Sequence, residues 1–211
     1  MRLTDCLRNR IMSDHTREEM IGVVKEGRKG VFAWRERNPF ERMNLCHTKL
    51  PGIDLALANL RDFDFVGADL SMAKLVRAYL SGADLRDAKL ENADLRFAAL
   101  GWSNLHGAEL KQANLTGAYP YKAEFASADL RGTDFTDAYC NEADFSNAVL
   151  GETNFSSTNL TNVSGLESCT YSAPVFADRM TLLKSGSLPP VFLEHCVYLS
   201  EKDHDKSNRL N

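Results

Sequence analysis

The sequence of 211 residues lacks the features that mark several large classes of protein. No apolar run approaches the roughly 18 residues that a membrane-spanning helix needs, and the N-terminus is too polar for a secretory signal. The five cysteines are scattered, without a CxxC pair, which disfavours a disulfide framework or a zinc site. Reduced thiols are typical of the cytoplasm, so we predict a cytoplasmic protein without a membrane segment.

Signatures of catalysis are also lacking. The sequence contains no GxGxxG, GxxxxGK[ST] or GxSxG motif, and its five histidines show no metal-ligand spacing. The adjacent pair His195 and Cys196 resembles a base and a nucleophile, but neighbouring residues on a helix point about 100° apart, which favours ordinary packing. We therefore expect no enzyme activity, no cofactor and no metal.

Neither positive nor negative charge predominates in the sequence. The formal net charge is −4, which by itself indicates neither a nucleic-acid nor a membrane partner. We expect no direct nucleic-acid binding.

The sequence does contain a repeat with a period of five residues. Every fifth position from Leu45 to Leu160 gives 24 positions, of which 22 are Leu or Phe, the exceptions being Pro120 and Cys140. The residue two places earlier is small, and Ala fills 16 of the 19 such places between residues 58 and 148. A period of five suits neither a helix nor a simple strand. It predicts a chain that turns a corner every five residues, with both apolar positions inward.

The stretch "GADLRDAKLENADLRFAAL", residues 82–100, resembles the A-[DN]-L-x-x signature of the pentapeptide-repeat family. This resemblance implies an all-β solenoid, specifically a right-handed quadrilateral β-helix, with many bacterial members. Twenty-four repeats then correspond to about six coils of 20 residues, or roughly 29 Å of rod at the usual strand spacing.

Both ends of a solenoid need covering, and the flanking sequences predict short α-helical caps. Residues 1–40 form the predicted N-terminal cap, with a capping box at Thr16 and Glu19 and a second short helix over 31–37. The repeat region is 41–165, a helical C-terminal cap follows over 166–200, and a flexible tail over 201–211.

Aromatic residues collect on one outer side of the predicted rod. When the residues are placed on a 20-residue coil, most tyrosines and one tryptophan fall on this side. Pro120 and Cys140, the two inward positions that are neither Leu nor Phe, lie beside them. Exposed aromatic clusters often mark interaction sites; the alternative is a tyrosine ladder that only stabilises neighbouring coils. The predicted interaction residues are Tyr79, Trp102, Tyr119, Pro120, Tyr121 and Tyr139.

A second outer side carries an acidic ladder, with carboxylates at Asp64, Asp84, Glu124 and Asp144. Some members of the family imitate duplex DNA and inhibit or protect DNA gyrase, which confers quinolone resistance. Residues 41–165 hold 17 acidic and 11 basic side chains, hence −6, whereas B-DNA carries about 17 charges over the same length. The charge comparison weakens this reading.

We therefore predict a non-catalytic protein–protein interaction or scaffold module that uses the aromatic side of the rod. A DNA-mimic modulator of gyrase is the alternative. The sequence does not name the protein partner. A homodimer through a cap or through the aromatic side is a further expectation.

Overall fold

The computed structural model describes residues 16–198. The first fifteen residues of the predicted N-terminal cap and the predicted tail 201–211 lie outside the described residues. Between residues 16 and 198, no helix has the length and apolar character needed to cross a bilayer.

A tight corner follows each inward residue and is the structural origin of the five-residue period. At all 24 corners between residues 45 and 162 the second corner residue has a positive φ. A hydrogen bond closes the corner, such as that from the Thr48 N–H to the Leu45 carbonyl, 3.2 Å. Only six of the 24 positions are glycine, although this conformation costs an L-residue about 1 kcal/mol. The pairing between coils must therefore hold the other corners in place.

The Asp or Asn that precedes many inward residues has a local role at the same corner. Its side-chain oxygen accepts a hydrogen bond from the backbone N–H two residues later, as Asp54 does from Ala56 at 3.2 Å and Asn114 does from Thr116 at 2.9 Å. Such Asx turns favour a change of chain direction. The A-[DN]-L pattern thus encodes the corner as well as the buried pair.

Backbone pairing between residues 20 apart stacks the chain into a β-solenoid. Asn44 pairs in parallel with Asp64, which pairs with Asp84, and three further ladders follow the same step. We call the segments 43–62, 63–82, 83–102, 103–122, 123–142 and 143–162 coils 1 to 6.

The interior of the solenoid is filled by the two apolar positions of each repeat. Most inward Leu, Phe and Ala side chains are fully buried. Phe125 and Phe135 pack edge to face at 5.6 Å in coil 5, where the inward position that follows is the smaller Cys140. Coil 6 also holds two inward phenylalanine rings but keeps Leu160 at the matching position, so the packing of the rings does not by itself account for Cys140.

Two helices precede coil 1. Helix α1 (Arg17–Lys25) begins with the predicted capping box, in which Thr16 and Glu19 bond reciprocally. Helix α2 (Gly27–Arg37) begins four residues earlier than predicted, because the chain only bends at Glu26 before the helix resumes. Their apolar sides join the buried interior through Met20, Val24, Val31 and Trp34.

Pairing continues beyond coil 6 with longer steps. Strand β1 (Val149–Leu150) pairs with β2 (Thr170–Tyr171), after a 3₁₀ turn at Leu166–Ser168. Strand β3 (Val175–Ala177) pairs with β4 (Cys196–Tyr198). Between β3 and β4 lie helices α3 (Arg179–Ser185) and α4 (Pro190–Glu194).

The cysteines are expected to be reduced, and the structure agrees with this for three of the four described ones. Cys140, Cys169 and Cys196 are free, whereas Cys46 is disulfide-bonded, which corrects the expectation for that residue.

Candidate functional site: an aromatic face

Exposed apolar side chains in coils 1 to 6 gather on one side of the solenoid. We define the aromatic face as the side that carries positions 59, 79, 99, 119, 139 and 159, together with the corner residues on either side of them. Within coils 1 to 6, seven large apolar side chains are exposed, and Met72 alone lies elsewhere. The other six, between 43% and 64% exposed, are Leu57, Tyr79, Phe97, Trp102, Tyr119 and Tyr139.

The centre of the face is a pair of stacked tyrosines. The rings of Tyr119 and Tyr139 are nearly parallel, 13° apart, with centroids 5.1 Å apart. Both residues are about half exposed, although each covers one face of the other's ring. Such a pair offers a rigid apolar ridge with polar tips.

A second aromatic pair lies at the corner beside this ridge. Trp102 and Tyr121 meet edge to face at 5.1 Å, and the Tyr121 hydroxyl donates to Glu142 at 3.1 Å. Lys122 also binds Glu142 at 3.2 Å. The hydrogen bond to Glu142 holds the Tyr121 ring in place, which lowers the entropy that a partner must remove on binding.

Arginines lie over the rings nearer the N-terminal end. The Arg61 guanidinium lies 4.8 Å from the ring centre of Tyr79, and that of Arg77 lies 5.6 Å from Phe97. Phe97 in turn lies over Gly117 of the next coil, where a Cβ atom would come within 2.5 Å of its ring. Sequence reasoning missed Phe97 and Leu57 because it examined the side positions and only a few of the corners.

Pro120 is part of the site only indirectly. Its ring is buried at an inward position, so it is not exposed like its neighbours Tyr119 and Tyr139. In the preceding coil the Leu100 N–H donates to the Tyr119 carbonyl at 3.1 Å. Pro120 has no N–H and cannot make the equivalent bond to the Tyr139 carbonyl. Within the described residues, Tyr119 and Tyr139 are therefore not paired as the neighbouring rungs of this ladder are. The rings of Tyr119 and Tyr139 stack on each other where the backbone pairing between these two residues is missing.

The acidic ladder is present as a row but is partly neutralised. Arg86 binds Asp84 with two hydrogen bonds of 2.8 and 2.6 Å. Burial, reinforced by the nearby Asp84 charge, raises the pKa of Asp64. Burial opposes ionisation of Asp144 too, but hydrogen bonds from Ser146 and Ser164 leave its pKa below the usual value. Glu124 is exposed.

The candidate base and nucleophile near the C-terminus do not face each other as a catalytic pair would. The His195 ring stacks on Tyr171 with centroids 4.2 Å apart, and its Nδ1 lies 2.8 Å from the Val191 carbonyl. The Cys196 thiol donates to the Phe192 carbonyl, and burial raises its pKa to about 12. Throughout residues 16–198, no three His, Cys, Asp or Glu side chains are grouped to hold a metal.

Comparison with known proteins gives one family. The model of pentapeptide repeats matches in eight copies, over residues 40–71, 64–98, 103–139 and 138–164. A search of curated proteins gave no significant match.

Among solved structures, HetL from the cyanobacterium Nostoc sp. strain PCC 7120, a pentapeptide-repeat protein involved in heterocyst differentiation regulation, is 27% identical. The match covers 61% of this chain and 73% of HetL, with a TM-score of 0.38. A pentapeptide-repeat protein of the Arabidopsis thaliana thylakoid lumen is 29% identical over 50% of this chain and 63% of its own, with a TM-score of 0.36. QnrB1, a plasmid-mediated fluoroquinolone resistance protein, is 19% identical over 72% and 84%, with a TM-score of 0.43.

Proposed function

This chain belongs to the pentapeptide-repeat family, and from that premise we propose that it is a non-catalytic protein–protein interaction module whose contact surface is the aromatic face. The proposal takes the fold as a right-handed quadrilateral β-helix of about six coils with helical caps. The observation that carries it is the segregation of exposed apolar side chains, six of seven within coils 1 to 6, onto a single side.

The chemistry of the aromatic face suits a protein partner. Tyr and Trp are enriched among the residues that dominate binding energy, because they bury a large area at low entropy cost and keep a polar handle. Here Trp102 is 64% exposed despite its contact with Tyr121. A large exposed apolar area surrounded by polar residues is typical of an interaction site.

The alternative of a DNA mimic receives less support. A mimic needs many unpaired charges, and three arginines on the solenoid each bind a carboxylate two residues earlier, within 2.7 Å. The carboxylates are Asp84, Asp94 and Asp129. These arginines are among the 11 basic side chains that leave residues 41–165 with a net charge of only −6, which is small beside that of a DNA duplex.

The proposal is tested by affinity capture with matched variants of the purified chain. Tyr119→Ser/Tyr139→Ser removes the central ridge, whereas Lys89→Ser/Glu109→Ser changes two outward positions on the opposite side. Proteins that bind the wild type and the control variant, but not the tyrosine variant, support the aromatic face as the contact surface. Identical bound proteins and an identical oligomeric state for all three chains would overturn it.

A further inference from the structure

The aromatic face carries both an exposed ring beside a small residue and an arginine without an ion pair among the described residues, on the same side as an exposed aspartate. Resting on the proposed function, we propose that the occupant of this face is the same face of a second copy, with the two rods antiparallel and coil 1 of one over coil 6 of the other. A two-fold axis between the faces and perpendicular to the rods relates them. We call residues at the same place in successive coils, 20 positions apart, a column; positions 59, 79, 99, 119, 139 and 159 form the central column. The two-fold axis places two residues of the same column opposite each other when the numbers of their coils sum to seven.

Size complementarity is the first argument for this arrangement. In the central column, Ala99 leaves a hollow between the exposed rings of Tyr79 and Tyr119. The antiparallel arrangement places the partner's Tyr119 opposite Ala99, and the symmetry repeats this contact. Tyr79 comes opposite the partner's Tyr139, so a ring meets a ring at those two contacts. The match of protrusion to hollow that a well-packed interface requires lies at the two Ala99–Tyr119 contacts.

The parallel alternative fails the same comparison. With the two-fold axis along the rods, each coil lies opposite the coil of the same number in the partner. Tyr119 then meets the partner's Tyr119, and Ala99 meets the partner's Ala99. Three ring-on-ring contacts then form along the central column, against two in the antiparallel pair, and the two Ala99 hollows face each other without a ring to fill them. The sequence of side chains along this column therefore favours the antiparallel pair.

Charge complementarity is the second argument. Arg77, at the corner of coil 2, lies over the Phe97 ring and forms no ion pair within the described part of the chain. The antiparallel axis places it opposite the partner's Asp137, at the same corner of coil 5. Asp137 is 62% exposed, and Lys184 is 3.8 Å from it. Two such Arg–Asp contacts, one at each end of the interface, would fix both direction and register.

The size of the face sets the strength of the dimer. Six rungs about 4.8 Å apart and a width of about five strand residues give an area of about 500 Å² on each copy. The total of about 1,000 Å² is near the lower limit for a specific interface. We therefore expect a reversible dimer with a Kd in the micromolar range rather than an obligate one.

Register is tested by cross-linking between two different single-cysteine additions. Ser81→Cys and Asn141→Cys lie at corners that the antiparallel axis brings opposite each other, while the two positions are three rungs, about 14 Å, apart within one rod. A bismaleimide that reaches about 10 Å, the separation of packed sheets, should join a mixture of the two variants. Each variant alone, like the unmodified chain with its native cysteines, should give only background.

Direction is tested by charge reversal, read by sedimentation at concentrations up to roughly 100 µM. Arg77→Asp and Asp137→Arg should each weaken dimerisation about tenfold or more by placing like charges together, and the chain with both changes should return to within about threefold of wild type. Lys89→Glu, on the opposite side, should have no effect, and circular dichroism should show all variants folded.

A monomeric wild type, cross-linking by one variant alone, or no recovery in the doubly reversed chain overturns the antiparallel dimer. If the monomer still loses a captured protein on Tyr119→Ser/Tyr139→Ser, the proposed function stands and only the second copy as occupant is wrong.

Discussion

Asp178 fastens the segment after β3 to coil 6, and its replacement by Ala is expected to destabilise the protein by about 3 kcal/mol. The side chain is 5% exposed and accepts hydrogen bonds from the N–H (2.9 Å) and hydroxyl (2.9 Å) of Ser157 and the N–H of Thr181 (2.8 Å). Loss of a helix cap costs about 1 kcal/mol, and leaving the Ser157 N–H unpaired adds roughly 1–3 kcal/mol.

The same contacts give this carboxylate a distinct pH dependence. Burial opposes its ionisation, but hydrogen bonds from Ser157 and Thr181 outweigh that effect and lower the pKa of Asp178 from 3.8 to about 2. Because the pKa is lowered on folding, the stabilisation is complete above pH 4 and is lost as the pH falls toward 2. A shift of this size corresponds to at most about 2 kcal/mol.

Urea denaturation and thermal melts, both followed by circular dichroism at several pH values, measure the two effects. The Asp178→Ala chain should melt about 6–12 °C lower at neutral pH and should lose less stability than wild type between pH 4 and pH 2. Glu109→Ala, an outward change without a cap, should stay within about 0.5 kcal/mol of wild type. A loss below about 1 kcal/mol for Asp178→Ala, or parallel pH curves for it and wild type, would refute the reasoning.

Three further predictions concern the corners and the interior. Gly117→Ala should destabilise more than Gly52→Ala in thermal melts, since both have φ near +65° but only Gly117 would place a Cβ against a neighbouring ring; equal losses would contradict the close approach. Leu85→Ala, at a fully buried site, should lower the free energy of unfolding by about 3 kcal/mol in urea titrations, and a change under 1 kcal/mol would be inconsistent with a packed interior. The Cys140 thiol, whose pKa burial raises, should resist alkylation until the chain unfolds; labelling under native conditions, detected by mass spectrometry, would count against its burial.

The regular part of the fold could be predicted from the sequence because one short pattern sets two structural constraints. Leu and Ala positions specify the inward side, and the intervening Asp or Asn, as in Asp54, bonds the next corner. The conformation of the corners was harder to predict. Gly, Asn and Asp, which tolerate a positive φ, fill 12 of the 24 left-handed positions. Residues as large as Phe97 and Trp102 fill others, so the preference does not identify every corner.

The chain after Leu160 was less predictable because its steps change length. Ser164 pairs with Asp144 at the usual 20 residues, but Thr170 pairs with Val149 after 21 and Phe176 with Asn154 after 22. Each added residue enlarges a connection without ending the pairing. A fixed five-residue count loses the register at the first insertion.

The candidate site was predicted in part. Tyr79, Trp102, Tyr119 and Tyr139 follow from placing residues on a 20-residue coil, and all four are exposed on one side. The stacking of Tyr119 on Tyr139 does not follow from the count, because it depends on rotamers. The gap in pairing beside them follows from the missing N–H of Pro120.

Hydroxyl-radical footprinting tests the central claim, that the aromatic face is the contact surface, most directly. Oxidation of each side chain is compared between the dilute chain and the chain at high concentration or with a captured partner. Tyr79, Trp102, Tyr119 and Tyr139 should become protected, while Met72, exposed away from this face, should be oxidised equally in both samples. Protection of Met72 with unchanged oxidation of the four aromatic residues would contradict the account.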